Sequence, residues 1–576
     1  MQKIIKRRPS PSSLLSEPDL APLLNRIYSN RGVRHAEELE LTLQRLLRPE
    51  LKGLPEAAEI LADAVVAGAR ILIVGDFDAD GATSSALGVL ALRAMGAQHV
   101  DFLVPNRFEY GYGLTPEIVA VAAEREPDVI VTVDNGISSI DGVQAANDLG
   151  IAVVVTDHHL PGQALPAADA IVNPNQPGCS FSSKNLAGVG VIFYVMNALK
   201  KQLSAIGWFA EAGIPEPNMA NFLDLVALGT VADVVPLDAN NRILVEQGLR
   251  RIRAGVARPG ILALLEVAGR GRERLVATDL GFAIGPRLNA AGRLDDMSIG
   301  IRCLLSDDVQ LARELAAELD SFNRDRKAIE SGMQREAMAM LDKLSVGDGQ
   351  DLPWGLCLYD ATWHQGVIGI LASRVKDKFH RPVIVFADAD DDTIKGSARS
   401  IPGLHIRDAL DAVAAREPHL LQKFGGHAMA AGMSIARENY QAFAEAFDTE
   451  VKRQLAADDL QAVLMSDGEL AASEFELELA RQLRHAGPWG QHFPEPLFDG
   501  EFYLVQQRIV GEKHLKLVLA LDAQKQQLLD AIAFNVDLSV WPDQGIERIR
   551  AAFKLDVNEF RGRESLQLMI DYLEPV

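Results

Sequence analysis

Cysteine is nearly absent from this sequence, with three in 576 residues, Cys179, Cys303 and Cys357, odd in number and far apart. That excludes a disulfide framework and a structural zinc site built on thiolates. It suits a reducing cytosol, so a cytoplasmic location is expected. Long apolar runs are missing too. No stretch approaches the length of a membrane span, and the start, MQKIIKRRPS, is basic but leads into proline and serine without an apolar segment. Neither membrane insertion nor export is expected. Low-complexity tracts and short repeats do not occur. Positive charge is scarce, with 57 Lys and Arg against 79 Asp and Glu and a formal net charge of -22. On its face that argues against a nucleic-acid partner, because phosphate binding is driven by Lys and Arg. Yet net charge is a global sum, and an acidic cluster that holds metal ions counts as negative while acting as a cationic site once loaded.

What is present begins with apolar material: 48% of the residues are hydrophobic, and the length is too great for a single core, so about two to four domains are expected. Residues 71 to 75 (ILIVG), 100 to 104 (VDFLV), 129 to 133 (VIVTV) and 151 to 155 (IAVVV) are near-continuous aliphatic runs separated by helical patterns. Such runs predict parallel strands buried on both faces of a doubly wound α/β sheet. Polar groups follow them closely. Asp76, Asp78 and Asp80 come after the first run, Asp134 and Asn135 after the third, and Asp157, His158 and His159 after the fourth. Ligands of open parallel sheets bind outside the carboxyl ends of the strands, so these groups are predicted to converge on one edge.

A further carboxylate comes from LVALGTVADVVPL, where an apolar helical stretch from Phe222 to Val231 delivers Asp233. Taken singly, Asp233 is an ordinary helix-end residue and each strand-end Asp is an ordinary cap for the next helix. Taken together, clusters after three strands need a common cause, because like charges this close repel unless a cation lies between them. Aspartates with imidazoles and no thiolate favour Mn2+ or Mg2+. Five or six ligands are too many for one ion that keeps positions open for water and substrate, so two ions bridged by a carboxylate are expected, activating water for in-line attack at phosphorus.

GDFDADG, VTVDNG, VVTDHH and ALGTVADVVPL, in that order, resemble the four motifs of the DHH phosphoesterase superfamily. GPRLNAAGR (residues 285 to 293), GSARS (396 to 400) and GGHAMAAG (425 to 432) resemble the remaining signatures of its RecJ family of single-strand-specific DNA exonucleases. The resemblance implies Asp78, Asp80, Asp134, His158 and Asp233 as metal ligands, Asp157 as the group that orients them, and His159 at the scissile phosphate. Smaller DHH phosphatases carry a metal-binding His where this chain has Val74. Asp76 either takes that place or hydrogen-bonds the loop.

After Ser306, Leu311, Leu315, Leu319, Phe322, Ile329 and Met333 repeat at helical spacing. Periodicity alone gives an amphipathic helix; the resemblance makes it the joint between two domains that frame a cleft. In the second domain, Gly425 and Gly426 let a backbone approach an anion closely, although a Gly pair is by itself only a turn. Beside them His427 is a catalytic candidate. Ser397 and Arg399 are implied to hold a terminal 5′ phosphate, with Arg287, Asn289 and Arg293 contacting substrate from the joint. Five alternating runs near the C-terminus, with Tyr503, Arg508, Lys513, His514 and Lys516 among them, suggest an OB-type barrel that tracks single strands. AGPWGQHFPEP reads as a linker or docking loop.

The expected organisation is an N-terminal extension (1–50), a DHH catalytic domain (51–299), a connecting helix (300–345), a smaller α/β DHH-associated domain (346–455), and a linker with an OB-type domain (456–576). The expected function is a two-metal, 5′-to-3′ exonuclease releasing mononucleotides from single-stranded DNA in repair and recombination. A monomer is expected, with a single-strand-binding protein and a helicase as partners. Two rivals stand beside it: a DHH phosphodiesterase for short RNA or cyclic dinucleotides, and a catalytically silent strand-binding scaffold.

Overall fold

The computed structural model describes residues 3–9, 15, 20–106, 110, 112–347, 352–390, 392–538 and 540–576; the first residues and most of the Pro- and Ser-rich segment of the basic start lie outside them. A five-stranded sheet, all parallel, has the spatial order His99–Leu103, Arg70–Gly75, Val129–Val133, Ala152–Thr156, Ala170–Val172. Ile71 and Ile73 point into the core shared with the helices Ala79–Ala94 and Gly188–Ala205, and Leu72 and Val74 into the opposite one with Pro116–Ala123 and Ile140–Asp148. Burial on both faces explains the unbroken aliphatic runs. The short edge strand Ala170–Val172 was not expected, because three residues carry no period. From Arg70–Gly75 the chain goes first to one edge, then crosses to Val129–Val133 on the other side. The switch point therefore lies between Gly75 and Val133, where the acidic loops emerge.

The joint is built of three helices, Gly285–Leu294, Ser298–Leu305 and the long Val309–Gly347. Leu311, expected on the buried stripe, is exposed, whereas Leu319 is buried as expected; Ala312 and Ala316 are buried beside it, small residues that let the helix lie close to its neighbours. Farther along, Met333, Ala337 and Leu341 enter the core of the second domain, so one helix belongs to both bodies. A buried Arg326–Glu330 pair at 2.6 Å, extended by Arg374 at 2.8 Å, ties the helix to that domain. The second sheet runs Lys423–Gly426, Ala430–Ala436, Thr393–Arg399, Val383–Asp388, Leu356–Tyr359, mixed in direction.

A closed barrel follows, of strands Phe498–Val510, His514–Ala520, Leu528–Ala533, Arg563–Pro575 and Arg548–Phe560. On it, Lys516 pairs with Asp530 at 2.5 Å and the Tyr503 ring lies under Arg548. The stretch ahead of the barrel is a docking element. Strand Val463–Ser466 pairs in parallel with Ile4–Arg7, and Trp489 and Phe493 stack with ring centroids 5.2 Å apart beneath Tyr28. Arg31 grips the buried Asp467 through two hydrogen bonds of 3.0 and 2.9 Å and lies over Trp489. Leu237, four residues beyond Asp233, donates its amide to the Gln491 carbonyl at 2.8 Å. The barrel is thus fixed to the first domain by the N-terminal segment and by the loop that follows a candidate ligand.

Asp467→Ala leaves the Arg31 guanidinium buried without its carboxylate. We expect a loss of about 3 kcal/mol of apparent stability in denaturant unfolding and faster proteolysis between 463 and 498. Unchanged midpoint and cleavage rate would show that the aromatic stack alone holds the barrel.

Candidate active site

Each acidic loop at the switch point is built by backbone geometry. Asp78 caps the helix Ala79–Ala94, accepting from the amides of Asp80 (2.9 Å) and Gly81 (3.0 Å). The cap reading and the ligand reading therefore fall on the same side chain. Asp80, buried in the first turn, accepts from Gly188 (2.6 Å) and Val189 (3.0 Å), amides at the open start of Gly188–Ala205. A Cβ on Gly188 would sit 2.7 Å from Asp134 Cβ, and one on Gly229 would be 2.8 Å from Asp80 Oδ1. Asp134 adopts φ 61°, a left-handed conformation that costs a non-glycine residue energy and is retained where the surroundings demand it. Asn135 holds the loop by donating to the carbonyls of Val74 and Val133. Asp157 accepts from the amides of Ile137 (2.9 Å), His158 (2.7 Å) and His159 (3.1 Å), which fixes both imidazoles. Asp233 ends the helix Leu223–Ala232.

The loops bring together three triads, each with its ligand atoms within 4.8 Å of one another: Asp76, Asp78 and Asp134; Asp80, His158 and Asp233; and Asp134, His158 and His159. His158 Nε2 joins them, 3.1 Å from Asp134 Oδ1 and 3.5 Å from Asp233 Oδ2. Asp76 stands inside the first triad and also accepts from the Phe77 amide at 2.7 Å, so both readings of this residue describe its position. His159 approaches Asp134 as well, at 4.0 Å, but its Nδ1 donates to Asp157 at 2.8 Å and lies 3.1 Å from the Tyr112 hydroxyl. That hydroxyl donates to the Asp134 carbonyl. Tyr112 was missed in the sequence, since a lone Tyr in a Gly-rich loop carries no pattern.

Burial, then the Asp233 carboxylate, pushes the Asp80 carboxyl up to about 7. Burial and Asp78 raise Asp233 to about 8, and burial, Asp80 and Asp78 hold Asp134 well above its ordinary value. Burial and the neighbouring His159 charge lower His158, leaving it neutral. Burial opposes protonation of His159 too, but the Asp157 hydrogen bond and charge prevail and raise it to about 9. Asp157 is held low by the same pair against its own burial. Asp134 Oδ1, His158 Nε2 and Asp233 Oδ2 are buried without a hydrogen-bond partner among the described residues. Acceptors converging on one point, mutually destabilised and unsatisfied, fit divalent cations; oxygen and imidazole donors without sulfur fit Mn2+ or Mg2+.

The second domain forms the facing wall. The His427 ring stacks toward His159 at 6.3 Å between centroids, and burial and the His159 charge keep it neutral. Gly426 has φ 148° beside Ala430 and Ala431, and a Cβ on Gly425 would meet nothing within 4 Å. Arg399 donates to Ser397 Oγ at 3.2 Å and to the Ala398 carbonyl at 2.8 Å, and pairs with no carboxylate among the described residues. Burial lowers its pKa. Gly369, in the first turn of the helix Ile368–Phe379, packs so closely that a Cβ there would lie 2.9 Å from both Arg399 Nη2 and Ser397 Oγ. The turn leading to it, HQGVIG, was also overlooked.

The joint residues behave differently. Arg287 is engaged by Asp320 of the long helix at 2.8 Å and by the Ala283 carbonyl at 2.5 Å, and Asn289 accepts from the Ala79 amide at 2.7 Å, which braces the acidic loop. Arg293 donates to the Gly366 carbonyl at 3.2 Å, linking joint and second wall.

Family models match in the same three places: the DHH family N-terminal domain over residues 70–230, the DHHA1 domain over 355–453 and the RecJ OB domain over 466–572. The single-stranded-DNA-specific exonuclease RecJ of Dickeya dadantii is 58% identical over 574 residues, covering 99% of each chain. The chain belongs to the RecJ family. The RecJ of Escherichia coli is 58% identical over 97% of this chain and 96% of its own. The crystal structure of RecJ from Thermus thermophilus in complex with Mn2+ superposes with a TM-score of 0.81 at 31% identity, covering 100% of this chain and 80% of that one. Its complex with Mg2+ gives 0.76 at 28%, covering 100% and 79%. Those RecJ structures hold the ions that this donor set fits. Cations in such a site lower the pKa of water and draw charge from a phosphoryl centre.

A carboxyl whose native pKa is raised binds its proton more tightly folded than unfolded. Without metal, Asp80 and Asp233 therefore stabilise the fold below about pH 4 and lose that contribution as pH rises toward about 7 and about 8. Mn2+ relieves the repulsion only once the protons have left. We expect it to raise the unfolding temperature more at about pH 8 than at about pH 6, in scanning fluorimetry against chelator. Equal shifts would mean that these carboxyls do not titrate with the ion.

Proposed function

We propose that this chain is a metal-dependent exonuclease that hydrolyses single-stranded DNA from the 5′ end, releasing mononucleotides in repair and recombination. The observation that carries the reading is the pairing of opposite chemistries across one cleft: crowded acidic triads on the sheet edge, and on the other wall an arginine without a carboxylate partner beside a serine and a helix start. Asp78, Asp80, Asp134, His158 and Asp233, with Asp76, would hold two cations. Asp157 holds His159 protonated and aimed, so that its ring can donate to a phosphoryl oxygen. His427 closes on the same group from the facing wall.

Ser397 and Arg399 would bind the terminal 5′ phosphate, with the planar guanidinium suited to two oxygens. Water attacks the phosphorus between the first and second nucleotides, and the P–O3′ bond breaks. The first nucleotide leaves with a 3′ hydroxyl and its own 5′ phosphate. The shortened strand then presents a new 5′ phosphate to the same pocket, which breaking P–O5′ would not supply. No helix among the described residues is long and apolar enough to cross a membrane. A cytoplasmic monomer working with a single-strand-binding protein and a helicase completes the proposal.

The test is a time course on end-labelled single-stranded oligonucleotides with Mn2+, Mg2+ or chelator; a 3′-to-5′ ladder would overturn it. Asp80→Ala and Asp134→Ala should each lower the rate by several powers of ten with the fold intact, and a loss within about tenfold at saturating metal would remove them from the ligand set. Arg399→Ala should slow 5′-phosphorylated strands about 10- to 150-fold more than 5′-hydroxyl strands, the value of a charged phosphate contact. Equal slowing would make Arg399 a general backbone grip.

A further inference from the structure

Among the described residues, the most exposed large apolar side chain is Phe282, at 82%. It lies in a π-helical turn, Leu280–Ile284, immediately before the joint helix Gly285–Leu294. Leu280, Ala283 and Ile284 of that turn are buried. The ring emerges from a well-anchored segment, and π-helical turns of this kind recur at functional sites.

Its placement is specific. Gly281 packs on Val231, where an added Cβ would be 3.3 Å from Cγ1, and Gly285 packs on Ala232, where it would be 3.2 Å from the methyl. Val231 and Ala232 are the two residues before Asp233, so the turn that carries the ring packs on the helix end that delivers a candidate metal ligand. Val234, the next residue, is exposed as well. In the other direction, Arg274 pairs with Glu559 and, at 3.2 Å, with Glu564 of the barrel. The turn between those glutamates carries Phe560, 66% exposed, with the Arg561 guanidinium 5.1 Å from its ring. The segment from Arg274 to Gly285 thus touches both the barrel and the helix that ends at Asp233, with Phe282 exposed on it and Phe560 exposed between the barrel glutamates it meets. Rings presented singly along a route to a barrel suit the faces of successive bases, which stack without regard to sequence.

We infer that Phe282 is a stacking platform for a nucleobase of the single strand as it leaves the cleft for the barrel. This rests on the exonuclease reading and adds a positioning residue to it.

The test is binding in chelator, by anisotropy, of a labelled 5′-phosphorylated strand of about 20 nucleotides. An abasic nucleotide is placed at each position in turn, with the parent and Phe282→Ala compared. Removing the ring should weaken the intact strand about 5- to 100-fold, the range for one lost base–aromatic stack. An abasic nucleotide at one position should weaken the parent by a similar factor and the variant no further. Phe282→Trp should keep the affinity, with its fluorescence quenched by the intact strand and not by the strand abasic at that position. Equal binding by parent and Phe282→Ala overturns the inference and assigns the ring to a protein contact. Additive losses at every position overturn it too, as does failure of the parent to bind in chelator, because stacking needs no metal. A parent that shows the stacking pattern yet releases no mononucleotide in Mn2+ removes the exonuclease reading alone.

Discussion

Carboxylates confined to one small, poorly hydrated volume repel one another, and the fold is organised so that Asp76, Asp78, Asp80, Asp134 and Asp233 stay there nonetheless. Among the described residues, Asp78, Asp80, Asp134 and Asp233 form no ion pair with Lys or Arg. Asp76, Asp78 and Asp80 are held by backbone amides at helix starts and turns, dipoles that stabilise charge without neutralising it. Asp80 takes two amides from one helix, Asp78 caps another, and Asp157 fastens the histidines through three. An arginine among them would have satisfied the charge permanently and left nothing for a cation to do. The glycines at 188 and 229 follow from the same constraint, because a methyl at either would press on a carboxylate.

Much of this was legible because it is written in local pattern. Aliphatic runs ending in acids specify both the parallel strands and the edge where their loops meet, and the alternating runs near the C-terminus became the closed barrel. What escaped depends on long-range packing. Tyr112 meets His159 and the Asp134 carbonyl only after folding, and strand Ile4–Arg7 finds its partner more than four hundred residues away. Arg287 and Asn289 show the same limit. The resemblance implies substrate contact for both, and no local pattern announces the partners that the fold adds, Asp320 of the long helix for Arg287 and the Ala79 amide for Asn289.

The net charge is a weak guide for a related reason. A sum over 576 residues weighs an arginine buried against Asp467 equally with one facing the cleft. Most arginines here are committed to carboxylates, as Arg31, Arg287 and Arg326 are. Arg399 differs in having serine and carbonyl oxygens as partners in place of a carboxylate. Affinity for phosphate depends on that local imbalance.

The two walls differ in how they are held, and this bears on product length. The sheet edge and the barrel share one continuous apolar core, whereas the arginine pocket sits in a domain with cores of its own. What sets their separation is the long helix, buried in the first core at Ala316 and Leu319 and in another at Met333 and Ala337, together with the Arg293–Gly366 contact across the cleft. If a terminal phosphate is seated in one wall and the bond is broken at the other, the number of nucleotides released each time is fixed by that distance. Releasing one nucleotide at a time is then a property of the joint, and the metal chemistry by itself would be indifferent to it.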